Sequence, residues 1–286
     1  MEDTRLINGE TEARRVETRS AHEGRLTRGR FGAFGVAWDI ESEDAPLYRT
    51  LVDRLPPGAA PCAGKAPERG YVLRAMSPTL PESGPSYLLL ADGRPLLRSS
   101  EAVDLADTFE ESVKWLVAER SPRRVFLRAG VVGWRDRAIV IAGGPGTGKR
   151  TLVRALVARG ATYFSDDYAV LDGNNVEPFP SRHHPGRPPG HGLTPWLDEL
   201  APARAPRAVP VGVVLFAPYQ AGAVFKPKLV ARGKALLEMF KHAVAAQRNP
   251  VQVLRTLETV SRRCHALGGV RGDARAVATY LLDRLV

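Results

Sequence analysis

Cysteine is almost absent, with Cys62 and Cys264 the only two in 286 residues. That excludes a disulfide framework and a cysteine-built zinc site, and it suits a reducing compartment. Long apolar runs are missing too. No stretch approaches the ~20 residues that span a bilayer, and the opening MEDTRLINGETEARR lacks the apolar centre of a signal peptide. The expectation is a cytoplasmic protein with no membrane partner. Aromatic residues make up only 7%, and basic residues are not interleaved with them, so nucleic acid is not an expected partner. Lysine is scarce as well, 7 of the 41 basic residues. Such arginine richness fits a GC-rich coding sequence, so basicity alone identifies no site.

The chain is 44% hydrophobic, enough to build a sizeable core and too much for wholesale disorder. Its net charge of +10 is unevenly placed. Residues 1–120 hold 16 basic and 20 acidic side chains, whereas residues 121–286 hold 25 and 11. The C-terminal part therefore attracts anions such as nucleotide phosphates or an acidic peptide.

Three regions follow from the pattern. Residues 1–30 mix seven arginines with six acids and read as a flexible N-terminal arm. Residues 31–100 read as a small β-rich region: a strand over 31–40, a short helix over 46–55, and strands over 71–75 and 87–91. Asp92-Gly93 is a hairpin turn, and the expected sheet is antiparallel. Residues 101–286 read as the main α/β domain. It opens with a helix over 101–120, whose Leu105, Phe109, Val113 and Leu116 recur at helical spacing. Two apolar strands follow, over 125–132 and 138–142.

The second of these strands, AIVIA, runs directly into Gly143-Gly144-Pro145-Gly146-Thr147-Gly148-Lys149-Arg150-Thr151 and a helix that Gly160 ends. Gly143, Gly148 and Lys149 stand at P-loop spacing. In such a loop, glycines let successive N–H groups face phosphate oxygens, the helix N-terminus adds positive charge, and the lysine reaches the β and γ phosphates. Residues 143–151 are thus the candidate nucleotide-binding set. The residue after the lysine should carry a hydroxyl that ligates Mg²⁺, but it is Arg150. Thr151 lies ~100° further round the helix and cannot take over that ligand. Either Arg150 extends to solvent while water completes the metal shell, or its guanidinium occupies the metal's place. Some fifteen residues on, Ser165-Asp166-Asp167 places paired carboxylates at a strand end, where they could hold Mg²⁺ and accept a proton from an attacking hydroxyl. Unpaired, two adjacent aspartates in an apolar run are costly to bury; Lys149, Arg150 or a metal are the obvious counter-charges.

VFLRAGVVGW, AIVIAGGPGTGKRTLVRALVARG and ATYFSDDYAVLD together resemble the HPr kinase/phosphorylase family. The similarity is clear over 123–175 and weaker from 211 to 282. It implies an α/β, P-loop HPr-kinase-like (phosphoenolpyruvate-carboxykinase-like) domain with a small β-rich N-terminal region. Members use ATP and Mg²⁺ to phosphorylate a hydroxyl, in the best-known cases a seryl residue of a small protein. Versions with other partners resemble accessory proteins of bacterial biosynthetic pathways. Carried over by position, Gly143 to Lys149 would hold phosphates, and Asp166 and Asp167 would supply the catalytic base and a metal ligand, Asp166 being the candidate for the metal. Arg150 replaces the metal-ligating hydroxyl, and Arg128 stands where the family has a histidine. Both add permanent positive charge, which favours anion binding and weakens metal-assisted transfer. Two functions are therefore expected to compete. One is a degenerate relative, in effect a pseudokinase, that binds a peptide or protein partner with residual nucleotide binding. The other is an active ATP-dependent kinase for a hydroxyl on a peptide, protein or small molecule. Homo-oligomerisation is left open.

The remaining constellations are softer. A Pro/Gly-rich loop over 178–192 carries His183, His184 and His191 and reads as a flap or partner-binding loop. His242 and His265 read as ordinary surface or core residues. Lys226, Lys228, Arg232 and Lys234 form a basic cluster that faces a substrate or simply solvates a surface.

Overall fold

The computed structural model describes residues 26–76, 86–181 and 207–284. The histidine-bearing loop beyond 181 lies outside them, as does the arm up to residue 25. The chain forms a mixed α/β structure of two sheets.

The first sheet begins with β1 (Thr27–Ala33) and β2 (Val36–Ser42). The expected single strand over 31–40 is thus a hairpin. Its turn, Phe34-Gly35, places both residues at positive φ, 50° and 80°. Phenylalanine rarely adopts that conformation, so the composition gave no turn signal there. Nor does the arm reach residue 30. Arg30 Nε and Nη2 donate to the two oxygens of Asp39 at 2.6 and 2.9 Å across the hairpin, tying the last arm residues into β1. After α1 (Ala45–Val52) come β3 (Ala60–Pro61), β4 (Arg69–Met76), β5 (Ser86–Ala91) and β6 (Arg94–Ser99), in the order β3-β1-β2-β4-β5-β6. β2 and β4 run parallel, so the sheet is mixed rather than antiparallel. The β5–β6 hairpin turns at Asp92-Gly93, both at positive φ, as the dipeptide predicts.

Helix α2 (Ala102–Arg120) covers this sheet. Its Leu105, Phe109, Val113 and Leu116 pack with Trp38, Ile40, Tyr71 and Leu89 in one core. The expected boundary at 101 therefore does not divide the packing. α2 belongs to the N-terminal core, because its apolar stripe faces that sheet, and the same core reaches Phe126, Tyr168 and Phe179 of the second layer.

The second sheet is built on β7 (Val125–Trp134) and β8 (Arg137–Ala142), a hairpin turning at Arg135-Asp136. It adds β9 (Thr162–Ser165), β10 (Tyr168–Asp172), β11 (Asn175–Glu177), β12 (Val209–Phe216), β13 (Lys228–Leu229) and β14 (His265–Gly268). The order is β11-β10-β7-β8-β12-β14-β13, with β9 also on β7. β8, β12 and β14 are parallel neighbours, and their near-continuous apolar runs reflect cover on both faces. One face is covered by α3 (Lys149–Val157) and α6 (Ala274–Arg284). The other is covered from α4 (Arg232–Phe240) and α5 (Pro250–Arg263), the latter capped by Asn249 accepting from Gln252 N. Among the described residues no helix is long and apolar enough to cross a membrane.

Candidate functional site

The second sheet brings two breaks in its strands together. β8 ends at Ala142, and the chain turns through residues 143–148 into α3. Gly148, at φ 78°, is the N-cap residue, a conformation open to glycine at little cost. The loop is braced from behind by Arg271, which is 1% exposed: its Nε donates to Ala217 O at 3.0 Å, and its Nη2 to Gly148 O at 2.6 Å and Thr147 O at 3.1 Å. Tyr219 N also donates to Thr147 O.

The other break separates β9 from β10. Both pair with β7, β9 alongside Val131–Gly133 and β10 alongside Val125–Arg128. Between them Ser165 Oγ, fully buried, accepts from the backbone N–H of Asp167 (3.2 Å) and Tyr168 (3.1 Å). That side-chain-closed turn lifts Asp166 and Asp167 out of the ladder. Because β7 adjoins β8, the two carboxylates come level with the glycine loop. One cavity of about 410 Å³ is lined by Arg128, Pro145, Gly146, Lys149, Arg150, Asp166 and Asp167. Residues far apart in sequence thus share one space.

The two aspartates differ. Asp166 is 5% exposed and its carboxylate is fully engaged. Oδ2 accepts from Arg150 Nε at 2.7 Å. Oδ1 accepts from Tyr163 Oη at 2.9 Å and Ser181 Oγ at 2.5 Å. Of the two alternatives for Arg150, the structure has the guanidinium on the carboxylate. Asp167, by contrast, receives no side-chain hydrogen bond from the described residues. Burial pushes its carboxyl above the ordinary range, with Lys114 the largest opposing influence. Burial also lowers the Lys149 ammonium, against the pull of Asp167. Lys149 Nζ donates to Gly144 O at 2.6 Å, within its own loop, and Thr147 Oγ1 donates to the same oxygen at 2.8 Å.

Arg128 enters from β7, its guanidinium 5.1 Å above the Trp115 ring and 6.0 Å from that of Tyr168. Planar cations stack on such faces. Gly143 is buried behind the loop. Thr151 lines a different cavity of about 990 Å³ on the far side of Gly148, and so is not brought to the carboxylates. Among the described residues no three His, Cys, Asp or Glu side chains gather as metal ligands.

Several residues around this cavity carried no expected role. Lys114 and Trp115 arrive from α2, and nothing local in sequence links that helix to the loop. Tyr163 and Ser181 were visible only as neighbours of the motif. His242, read as ordinary, is half-buried, its ring held below the usual range by burial and by Lys149, and its carbonyl accepts from Arg128 N.

Compared with known proteins, the chain matches no family model and no curated sequence.

Proposed function

We propose that this chain is a degenerate relative of the HPr kinases, with their phosphoenolpyruvate-carboxykinase-like P-loop domain. It binds a peptide or protein partner in a bacterial biosynthetic pathway and keeps the capacity to hold nucleotide phosphates. The observation that carries the reading is the state of Asp166. The carboxylate that would hold a metal in a working relative accepts from Arg150, Tyr163 and Ser181 instead.

The fit to ATP and to Mg²⁺ differs. Phosphates suit the cavity: Arg128, Lys149 and Arg150 outnumber the two carboxylates, and the glycine loop opens onto α3. A metal does not suit it, because both oxygens of Asp166 are in use and no hydroxyl follows Lys149. A guanidinium offers fixed charge and hydrogen bonds where a metal would offer coordination sites, so it can hold an anion but cannot coordinate the β and γ oxygens as Mg²⁺ does. The basic cluster of exposed Lys226, Lys228, Arg232 and Lys234 supports a partner with acidic side chains.

A specific observation favours the second reading, an active ATP-dependent kinase. Asp167 lies in the same cavity as Lys149 with its carboxylate unengaged by described side chains and its proton affinity raised. Such a group could accept a proton from a partner's hydroxyl. Calorimetric titration of ATP with and without Mg²⁺ separates the two. The scaffold reading expects Kd values within about threefold of each other and no turnover, which Arg150→Ser does not restore. Mg²⁺-dependent phosphorylation of a bound partner by the unaltered chain would establish the kinase instead.

A further inference from the structure

β8 has a second functional-looking end. Its start, together with the starts of β12 and β14, faces away from the glycine loop; five residues at ~3.3 Å each put Ala138 roughly 16 Å from Gly143. A cavity of about 480 Å³ opens there, floored by Ile139 and Val213 and walled by Trp134, Arg135, Arg137, Arg263 and His265.

The walls are shaped by backbone irregularities. Arg135 and Asp136 form the β7–β8 turn, with φ of 46° and 61°, so that Arg135 and Arg137 flank one tight corner. Arg135 then lies 5.6 Å over the Trp134 ring. In β12 the register to β8 shifts between Val211 and Val213, and the residue at that bulge is Gly212. A Cβ on Gly212 would stand 3.0 Å from both Cβ and Cδ of Arg137, so the missing side chain is what lets the Arg137 stem lie flat across the strand. Arg263 closes α5 and His265 opens β14, adding two more nitrogen-bearing side chains.

Every polar side chain in this wall is a donor. Among the described residues, Arg135, Arg137, Arg263 and His265 have no acidic partner and no side-chain hydrogen bond. Asp136 does not line the cavity and forms no ion pair with them. The indole N–H of Trp134 is buried and unpartnered. Arg135, Arg137, Arg263 and His265 are exposed, so it is their donors, and not the enclosed indole N–H, that a ligand in the cavity reaches. We infer that this cavity binds a small polyanion, a molecule presenting two or more closely spaced phosphate or carboxylate groups, independently of the glycine loop. The guanidiniums supply planar forks for the oxygens, and the apolar floor takes the ligand's carbon skeleton.

The test uses the full chain carrying Lys149→Ala, which removes the loop's own anion contact. Pyrophosphate and citrate are titrated separately at low salt. Calorimetry should show saturable binding of one or both, and the Trp134 indole N–H resonance should shift with occupancy. Binding by pyrophosphate alone identifies the phosphate chemistry, and binding by citrate the carboxylate chemistry. Adding Arg137→Ser and Arg263→Ser should weaken binding at least about tenfold, and raising salt should weaken it further. The inference is overturned if neither anion moves the Trp134 resonance, or if binding survives the loss of both arginines. The resonance in the Lys149→Ala protein decides the matter even if the double substitution impairs folding.

Discussion

Two clusters of charge, one along α2 and one at the glycine loop, are built on opposite principles. In the N-terminal layer Arg54 Nη1 meets Asp107 Oδ1 at 2.6 Å and Glu110 Oε2 at 3.7 Å, and Lys114 Nζ meets Glu110 Oε1 at 2.6 Å. Among the described residues two cations face two anions there, and all four side chains are nearly excluded from water. Around the glycine loop three cations, Arg128, Lys149 and Arg150, face Asp166 and Asp167, with the first carboxylate engaged and the second not engaged by described side chains. A ladder balanced in this way holds its charges by pairing within the fold. An unmatched cluster held open in a cavity has a standing affinity for an anion, so ion-pair balance separates the structural charges from those available to a ligand. Lys114 touches both regimes: it completes the ladder, and its charge opposes the rise of the Asp167 carboxyl.

The largest expected effect comes from breaking the ladder. Lys114→Met removes the closest cation of the buried Glu110, which keeps Arg54 at 3.7 Å, and should cost about 3 kcal/mol in denaturant unfolding. The same substitution should raise the native Asp167 proton affinity further, visible in carboxyl NMR titration. A cost below ~1 kcal/mol would mean that the ladder is not matched in the sense argued.

Next is Asp166→Ala. It removes the shared acceptor of the Tyr163 and Ser181 hydroxyls, both buried, and should destabilise by about 2 kcal/mol. Little of that comes from Arg150, whose side chain is 55% exposed. Arg150→Ala should therefore cost well under half as much in the same unfolding assay. Equal losses would show that the ion pair, rather than the hydroxyl network, holds the turn.

Lys149→Ala tests the unmatched cluster. ATP at a hundred times its Kd should stabilise the unaltered chain by about 2.7 kcal/mol, read as a rise in Tm. The variant should lose that rise while its own Tm without ATP changes little. Retention of the full ATP effect would remove the glycine loop from the binding site.

The smallest effect concerns pH. Burial raises the Asp167 carboxyl, so the native state prefers it protonated. Its penalty is absent below the ordinary aspartate range. Stability should fall as pH climbs from that range through the raised native value. Asp167→Asn should flatten this part of the profile when melting is followed from about pH 3 to 7. An unchanged slope would place the titration elsewhere.

The parts of the structure legible in the sequence are those fixed by local chemistry. AIVIA and the run at 125–132 could only be strands, Asp92-Gly93 could only turn, and the glycine loop announces its helix. The Arg150–Asp166 pair was legible as one of two alternatives for Arg150, because a misplaced hydroxyl and two costly carboxylates sit sixteen residues apart with one helix–strand unit between them. What was hidden depends on packing over distance. Phe34 at positive φ contradicts its own preference and is held there by tertiary contacts. The parallel β2–β4 pairing is a crossover that alternation of apolar residues cannot reveal. Ser181 reaches Asp166 only because the chain beyond β11 returns beneath β9, with Phe179 N donating to Phe164 O. Lys114 and Trp115 come from a helix whose periodicity reported its buried stripe but not its neighbours.

The Phe34 turn has one more consequence. Its ring stands edge-on to Phe126 at 5.4 Å and tilted against Phe179 at 5.9 Å, and Tyr168 packs edge-on against both of those rings. The tip of the first hairpin is therefore a plug in the second layer, seated on Phe126 of the strand that bears Arg128 and on Phe179, both of which pack against the residue that follows Asp167. Pulling the plug would bare an aromatic socket in one half and leave the other half without its anchor. The two layers should therefore melt together, and the hairpin at the beginning of the described chain supports, through Phe126, the strand that carries Arg128 to the cavity.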